Sequence, residues 1–491
     1  MGNRVVYFCS ILLTLVISAN LASRAAEPER ILRAGAHIID ITPTTFPVDT
    51  AGSMSPVKAI GAHDPLYARC LVLDNGDCKI AFAVCDSCMI SSEIFEAAKE
   101  KAFRETGIPS DHMIMSATHT HTAVTVTPVF QSVVDADYCE FLSDRIATGI
   151  VQATAHLEPA RIGWAVGNNA RQVFNRRWYL RPGVATPDPF DLGSDKIQTN
   201  PPGASEALLK PVGLIDAEVP IIAVQAIDGR PIAVLANYSL HYVGGVPAES
   251  LSADYFGEFA RQISRMIKAE AEPKDASNAE SASREFVAIM SNGTSGDINN
   301  SNFFESTPSQ PPFEQIRVVA TDVAESTYAA YKRVKYADWV PIKMQQAEIE
   351  LGVRRPTRKE IADARQLLGS AGDRPYRDRR AIYANETLDL ADYPETVRVK
   401  LQAIRIGDLG IVTTPCETFV ETGLALKQAS PLKPTFVISL ANGYNGYLPT
   451  PSQHELGGYE TWRAKSSYLQ TDAEPKIRSK LLELLGEITK E

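Results

Sequence analysis

Apolar runs of strand length recur along the chain, and several form pairs around a tight turn. Tyr67–Leu73 and Lys79–Cys85 lie on either side of Asn75-Gly76, which is a strong hairpin signal. A similar pattern occurs twice more, in Val219–Ile227 with Pro231–His241 and in Val397–Ile406 with Gly410–Thr413. The pattern therefore predicts antiparallel strand pairs, and further single strands at Ala34–Ile41, Met113–Ser116, Phe286–Met290 and Pro434–Leu440.

Helical periodicity appears between these runs. Ser91 and Ser92 open a predicted helix that Gly107 closes. Further helices are predicted over Asp137–His156, Asp254–Ala271, Phe313–Tyr336 and Glu417–Gln428. Arg181–Pro211 is predicted to be a long loop. Arg354–Tyr393 is predicted to be a polar surface excursion that contains one helix. Interleaved helices and hairpins predict a mixed α/β fold, with mostly antiparallel or mixed β-sheets flanked by α-helices in a single large catalytic domain.

The N-terminus has the layout of a secretory signal peptide. Arg4 precedes the apolar run Val5–Ala19, and Ser23-Arg24-Ala25 offers a cleavage site. The alternative is an uncleaved membrane anchor, but the run is shorter than the roughly 20 residues that a spanning helix needs. We therefore expect residues 1–25 to be a signal peptide, residues 26–491 to be the catalytic domain, and the protein to be exported to the periplasm, the cell surface or the medium.

Charge and cysteine content narrow the possible functions. The formal net charge is −10, and no block of Lys and Arg stands out, so nucleic acid is not an expected partner. Cys85-Asp86-Ser87-Cys88 has the spacing of a redox or zinc motif but ends an apolar run, and no second such motif follows. Buried or opportunistically paired thiols are the favoured interpretation. The sequence does not define an oligomeric state.

Polar residues able to bind a metal follow several of the predicted strands. The ends of strands that meet at one edge of a sheet are a common position for ligand sites. His119, His241 and Glu417 would supply the two imidazoles and one carboxylate that a catalytic zinc site uses, with a position left open for water. By spacing alone this interpretation is weak, because a His-x-His pair arises by chance and a lone histidine is more often structural.

At these residues the chain resembles the neutral, non-lysosomal ceramidases, which are zinc amidases that cleave N-acylsphingosines. Ser116-Ala117-Thr118-His119-Thr120-His121 resembles their first zinc motif. The resemblance continues in order through Asn175-Arg176, Tyr238-Ser239-Leu240-His241, Pro415-Cys416-Glu417, Tyr447 and Tyr459. It implies the metal ligands His119, His241, Glu417 and Tyr447. It also implies that His121, Arg176 and Tyr459 are catalytic residues that bind the substrate carbonyl or its oxyanion.

The chain departs from the ceramidase pattern where that family has its nucleophilic serine. Aligned on Gly296, the serine position holds Asn299, and an amide side chain cannot attack a carbonyl. Ser295 and Thr294 precede that glycine and do not match the serine. Thr122-Ala123-Val124 also replaces the prolines and glycines of the family, and we expect no C-terminal β-sandwich domain after Tyr459.

These residues predict a hydrolase that uses zinc-bound water as the attacking group. The substrate would be a small molecule or lipid containing a ceramide-like amide or a related ester, with transient contact to a membrane surface possible. Two alternatives stay open at this point. One is a zinc-binding protein of the same fold that has lost catalysis, which the Asn299 substitution favours. The other is a zinc peptidase, because the same chemistry cleaves short peptides.

Overall fold

The computed structural model describes residues 1–2, 30–186, 188–193, 195–271, 285–306 and 310–490. The chain divides into two units, Met1–Arg30 and Ile31–Glu491. The predicted signal peptide falls mostly on residues 3–29, outside the described residues. Within the described ranges, no helix has both the length and the apolar character needed to cross a bilayer.

In the described ranges, the strands of the larger unit form two main sheets, one three-stranded sheet and four two-stranded pairs. In chain order they are β1 Arg33–Asp40, β2 Val48–Thr50, β3 Val57–Ala59, β4 Gly61–Ala62, β5 Tyr67–Asp74, β6 Lys79–Cys85, β7 Met113–Ala117, β8 Glu158–Asn168, β9 Phe174–Asn175, β10 Arg177–Leu180, β11 Ile197–Thr199, β12 Leu208–Pro211, β13 Glu218–Ala226, β14 Pro231–Tyr238, β15 Ser250–Leu251, β16 Val287–Asn292, β17 Ile298–Asn299, β18 Ile342–Gly352, β19 Thr396–Ile406, β20 Leu409–Thr413, β21 Glu417–Thr418, β22 Thr435–Ile438 and β23 Tyr447–Leu448.

The helices of the described ranges are α1 Ser92–Thr106, α2 Ala136–Ala155, α3 Asp254–Ala271, α4 Glu314–Tyr331, α5 Arg358–Leu368, α6 Arg379–Ala391, α7 Val420–Ala429, α8 Pro451–Leu456 and α9 Ala473–Thr489. One eight-stranded sheet has the order β16-β14-β13-β8-β1-β5-β6-β7, and one four-stranded sheet has the order β18-β19-β20-β22. The predicted mixed α/β fold with antiparallel and mixed sheets is confirmed.

These elements stack in four layers, because apolar side chains lie on both faces of the strands. On β6, Phe82 packs in a core shared with the four-stranded sheet, through Ile404 of β19, whereas Ala83 faces the core that contains α1 and α2. On β19, Leu401 packs in a different core, together with Leu481 of α9. Helices α3 and α4 cover the other half of the eight-stranded sheet. Both sheets are thus buried on both faces, which explains their near-continuous apolar runs.

Most predicted elements lie where the hydrophobic pattern placed them, including the three hairpins β5–β6, β13–β14 and β19–β20. Three predictions need correction. The loop over Arg181–Pro211 contains β11 and β12, which pair with β10. The excursion over Arg354–Tyr393 contains two helices, and α6 buries one face, including Tyr383. The helix predicted from Glu417 begins at Val420, because Glu417 itself pairs as a short strand with Tyr447.

The cysteines of the larger unit are free thiols, four of them buried: Cys70, Cys85, Cys88 and Cys416. Cys85 and Cys88 therefore form no disulfide in the structure. Burial raises the pKa of the Cys88 thiol, which makes it a poor nucleophile at neutral pH. The buried-thiol interpretation of the Cys-x-x-Cys segment agrees with this arrangement.

Candidate metal centre

The eight-stranded sheet curls so that its two edge strands, β7 and β16, approach each other at their carboxyl ends. The amide of Asn292, the last residue of β16, donates a hydrogen bond from Nδ2 to the carbonyl of Thr118, just after β7, at 3.1 Å. The four-stranded sheet contributes to the same point, because Ser439 N, just after β22, donates to Asn292 O at 3.0 Å. The ends of these three strands therefore converge on one small region.

Two histidines enter this region, one after the edge strand β7 and the other after β14, which neighbours the opposite edge strand. His119 follows β7 and His241 follows β14, and their Nε2 atoms lie 3.0 Å apart. His119 Nδ1 lies 2.7 Å from the Cys88 carbonyl, and His241 Nδ1 lies 3.1 Å from the Ser295 carbonyl. Because a carbonyl only accepts, each Nδ1 carries a proton, and each Nε2 faces the centre, where it can bind a cation or a second proton. Backbone carbonyls of this kind orient the imidazoles of metal sites.

A carboxylate completes the set. Glu417 Oε2 lies 3.1 Å from His119 Nε2 and 3.8 Å from His241 Nε2. This oxygen is buried and has no hydrogen-bond partner of good geometry, whereas Glu417 Oε1 accepts a hydrogen bond from the Tyr444 hydroxyl at 2.8 Å. One carboxylate oxygen is held, and the other points at the two imidazole Nε2 atoms.

These three groups fit a divalent cation. Their donor atoms all lie within 4.8 Å of one another, and all three residues are buried. Ligand atoms at 2.0–2.2 Å from a tetrahedral zinc ion are about 3.3–3.6 Å apart, close to the observed separations of 3.0–3.8 Å. Two imidazole nitrogens and a carboxylate oxygen this close together need a positive charge between them, which a cation or a proton can supply.

The pKa shifts of the two histidines also indicate that the centre favours a positive charge. Burial acts against a charged imidazole, but the Glu417 carboxylate and Cys88 raise the pKa of His119 to about 10. Burial, with the nearby charges of Arg176 and His119, lowers the pKa of His241 well below its usual value. The centre therefore favours one positive charge, carried by a proton or by a cation, and metal binding would displace that proton.

His121 and Arg176 lie beside the centre, as the sequence predicts. His121 Nε2 is 3.2 Å from His119 Nε2, and its ring stacks on Tyr242 at 3.7 Å. Burial and the charges of His119 and Arg176 lower the pKa of His121 well below its usual value, so it is neutral. The buried Arg176 donates from one terminal nitrogen to the Gly296 carbonyl at 2.6 Å and to the Tyr447 hydroxyl at 3.2 Å.

The two predicted tyrosines lie together next to this guanidinium. Tyr447 and Tyr459 have their hydroxyls 3.3 Å apart, and the Arg176 guanidinium carbon lies 5.6 and 5.3 Å from their ring centroids. Burial and the Glu417 carboxylate raise the pKa of Tyr447 well above its usual value. All seven residues that the sequence singled out are thus brought to one place, although they span positions 119 to 459.

Sequence reasoning missed two residues that organise the site. Tyr444, which holds Glu417, lies three residues before Tyr447 in a segment that contains Gly443 and Gly446, but nothing in its spacing distinguishes it. Glu460 is fully buried and accepts from Arg176 Nε at 3.1 Å and from Arg177 at 2.7 Å. Glu460 follows Tyr459 directly in the sequence, and Arg176 and Arg177 are adjacent to each other. Their opposite charges are compatible with an ion pair, but only the fold shows that they are in contact.

Asn299 does not point its amide at the three ligand atoms. Its Nδ2 donates to Asn200 Oδ1 at 3.1 Å, and its Oδ1 accepts from the backbone of Ser301. The amide braces a surface turn, and its identification with the family's serine position stays a prediction. Ser295 lies nearer the centre, because its carbonyl holds His241, and its hydroxyl donates to Asn292 Oδ1 at 2.8 Å.

No protein-family model matches the chain. Among solved structures, the fold is similar to that of a "ceramidase complexed with C2", with a TM-score of 0.69 at 14% identity over 94% of this chain and 76% of that one. It is also similar to the neutral ceramidase from Pseudomonas aeruginosa, with a TM-score of 0.67 at 15% identity over 94% of this chain and 75% of that one. At such low identity, the similarity establishes a ceramidase-like fold.

Proposed function

We propose that the protein is a zinc-dependent hydrolase that cleaves a linear amide bond, ceramidase-like in fold and related in chemistry. The observation that carries the proposal is the convergence of His119 Nε2, His241 Nε2 and Glu417 Oε2 within 4.8 Å, with both imidazoles oriented by backbone carbonyls. The fold similarity to two ceramidase structures supports the choice of an amide as the scissile bond.

When bound, the cation would act as a Lewis acid toward the substrate carbonyl and lower the pKa of water to about 7. The other side chains would bind the substrate carbonyl and transfer protons. Arg176, with Tyr459 beside it, would hold the carbonyl oxygen as negative charge develops there, and each such donor is worth roughly 2.7–4 kcal/mol. His121, neutral and at hydrogen-bond distance from the ligand shell, would accept a proton and pass it to the departing amine.

Tyr447 has two possible uses within this scheme. Its pairing with Glu417 on adjacent short strands places it next to the ligand carboxylate, which supports the proposed role as a fourth ligand. Its hydroxyl also accepts a hydrogen bond from Arg176, so it would orient the guanidinium as well. A neutral phenol can serve both roles, because its oxygen has two lone pairs.

The test is hydrolysis of a panel of N-acyl amides, esters and short peptides by the purified protein, before and after treatment with a chelator and after zinc is restored. We expect turnover of at least one amide, its loss on chelation and its return with zinc. Glu417→Gln and His241→Ala should abolish both turnover and stoichiometric zinc binding. Asp216→Asn, a buried carboxylate that pairs with Lys427 away from the ligand set, is the matched control.

The outcomes separate the remaining candidates. Stoichiometric zinc without turnover of any substrate would contradict a hydrolase and favour a zinc-binding protein of the same fold. Preferential cleavage of peptides would indicate a peptidase. We also propose that the protein is exported after cleavage near Ala25. N-terminal sequencing of the mature protein from the source cells tests this, and an intact N-terminus in a cytoplasmic fraction would contradict it.

A further inference from the structure

A cavity of about 380 Å³ opens beside Tyr459, and Tyr459 forms part of its wall. Because the Tyr459 hydroxyl lies 3.3 Å from that of Tyr447, this cavity adjoins the candidate metal centre. Thr199, another lining residue, donates to Glu460, which in turn holds Arg176. The cavity therefore is a natural place for the part of a substrate that lies beyond the scissile bond.

The lining of this cavity is mostly polar. Thr186, Gln198, Thr199 and Asn200 offer hydroxyl and amide groups, and Arg379 contributes a positive charge. Ligand sites are usually lined by apolar side chains with only a few polar groups. A wall this rich in hydrogen-bonding groups suits a compact polar group better than a long hydrocarbon chain.

Arg379 is the cation of this wall. It is exposed, and its guanidinium carbon lies 5.6 Å from the ring centroid of Trp462, which also lines the cavity. It makes no ion pair with any residue that the structure describes. Asp195, the carboxylate of the lining, is already engaged, because its Oδ2 accepts from Gly458 N at 3.0 Å and from Trp462 Nε1 at 2.8 Å.

The chain around Arg379 reinforces its charge. Residues 373–380 contain four arginines and two aspartates, a net charge of +2 (4 − 2), in a protein whose formal charge is −10. Arg380 pairs with Asp191, whereas Arg374 and Arg377, like Arg379, have no ion pair within the described ranges. Arg379 is the arginine of this segment that lines the cavity, and the net positive charge of the segment attracts anions and raises their local concentration there.

A buried glutamine fixes this arginine segment against the cavity. Gln131 accepts from the backbone of Tyr376 at 2.6 Å and donates to the carbonyl of the same residue at 3.0 Å. The same amide nitrogen also donates to the carbonyl of Met54, which lines the cavity, at 3.0 Å. The segment is therefore positioned by the fold and not merely adjacent by chance.

We propose that this cavity binds a negatively charged end of the substrate, a carboxylate or phosphate, and that Arg379 is the residue that selects it. This inference rests on the proposed hydrolase function. The preferred substrates are then N-acyl amides whose amine part carries an anion, in contrast to uncharged N-acyl lipids. Arg379 has the bidentate geometry that such anions require.

The experiment compares three amides with one acyl chain: N-dodecanoylglycine, N-dodecanoylphosphoethanolamine and the uncharged N-dodecanoylethanolamine. The zinc-loaded protein should cleave at least one of the charged amides with a kcat/KM about tenfold above that of the uncharged amide. The relative rates of the carboxylate and phosphate amides identify which anion is used. Arg379→Ala should remove the preference through KM, and Arg379→Lys should restore part of it. Arg398→Ala, an exposed arginine on β19, is the control and should change nothing.

Equal kcat/KM for charged and uncharged amides, or an equal loss on all three in Arg379→Ala, would overturn the anion site and leave the hydrolase proposal intact. Absence of turnover on every amide would contradict the hydrolase instead. Calorimetric titration of the chelator-treated protein with the same amides then tests the anion site independently of turnover. Binding of the charged amides that Arg379→Ala abolishes supports the anion site, and absence of binding refutes it.

Discussion

Each ligand of the candidate metal centre depends on one hydrogen bond that fixes its orientation. The Cys88 and Ser295 carbonyls hold the two imidazoles, and the Tyr444 hydroxyl holds the Glu417 carboxylate. Without these contacts the side chains could turn away from one another, since their mutual repulsion in the absence of a positive charge is unfavourable. We therefore expect these partners to influence the affinity for a cation as much as the candidate ligands do.

Replacement of Tyr444 by Phe should weaken zinc binding by about 10–100-fold, because the Glu417 carboxylate loses the donor that orients it. Competition with a chromophoric chelator measures the affinity. Tyr468→Phe is the matched control, since that hydroxyl accepts from Asn445 and does not touch a ligand. Equal affinities of wild type and Tyr444→Phe would show that the contact has no role in the metal centre.

Arg176→Lys should lower kcat by about 10²–10³-fold while leaving zinc affinity unchanged. Lysine keeps the charge but cannot contact Glu460, Gly296 and Tyr447 at once, as the planar guanidinium does. The measurement pairs steady-state kinetics on the best amide with metal analysis. Arg171→Lys, at an exposed ion pair with Asp322, provides the comparison. A fall in zinc content that matches the loss of rate would assign Arg176 to the metal centre instead of the oxyanion.

At the scale of elements, short strands and turns aim the functional side chains. The two-residue strands β21 and β23 pair in parallel, which places Glu417 opposite Tyr447. His119 adopts a left-handed backbone conformation, with φ of 79°, two residues after the end of β7. Such a conformation is costly for a residue with a side chain and persists where the surrounding structure enforces it. The strain is thus located at a proposed metal ligand.

Helix α1 contains a buried lysine, and its burial should lower the free energy of unfolding. The Lys99 side chain is fully buried, and Nζ lies 3.4 Å from Glu96 without a hydrogen bond of good geometry. Burial lowers the pKa of Lys99 to about 8 from 10.5. Between these values the unfolded chain binds more protons than the folded one, so stability should rise by roughly 3 kcal/mol as the pH increases from 8 to 10.5.

Lys99→Met should therefore raise the free energy of unfolding at pH 7 by about 1–3 kcal/mol and flatten this rise. Urea unfolding at several pH values measures both effects. Lys101→Met, on the same helix but paired with Asp144 at the surface, should leave the slope unchanged. Retention of the full pH dependence in Lys99→Met would show that another group causes it.

At the scale of the whole molecule, the proposed ligands connect parts of the chain that are far apart. They span nearly 300 residues, from His119 to Glu417, and come from the ends of strands in both sheets. A cation at this point would link β7, β14 and β20. Since the unfolded chain cannot hold three such distant groups together, metal binding should favour the folded state.

Zinc should accordingly raise the free energy of unfolding, by about 2.7 kcal/mol at a free concentration one hundred times the Kd. Thermal unfolding with chelator and at increasing zinc concentrations measures the shift in Tm. In Glu417→Gln the shift should be nearly absent. A shift of the same size in that variant would indicate that zinc binds elsewhere.

The sequence by itself determined the local elements and the candidate residues. Asn75-Gly76 defined its hairpin because few other residues accept that turn, and apolar alternation identified most buried strands. The resemblance that runs from Ser116 to Tyr459 singled out the seven candidate residues before any geometry was known. These features depend on neighbours in the chain, which is why a single sequence reveals them.

Only the tertiary structure decided how these pieces meet. The curl that brings the end of β7 to the end of β16, seen in the bond from Asn292 to Thr118, is the sum of strand twists across a whole sheet. The change of Glu417 from predicted helix to strand follows from its distant partner Tyr447. The positions of Tyr444, Glu460 and Arg379 beside the candidate site were likewise hidden, because each depends on a contact that no local pattern encodes.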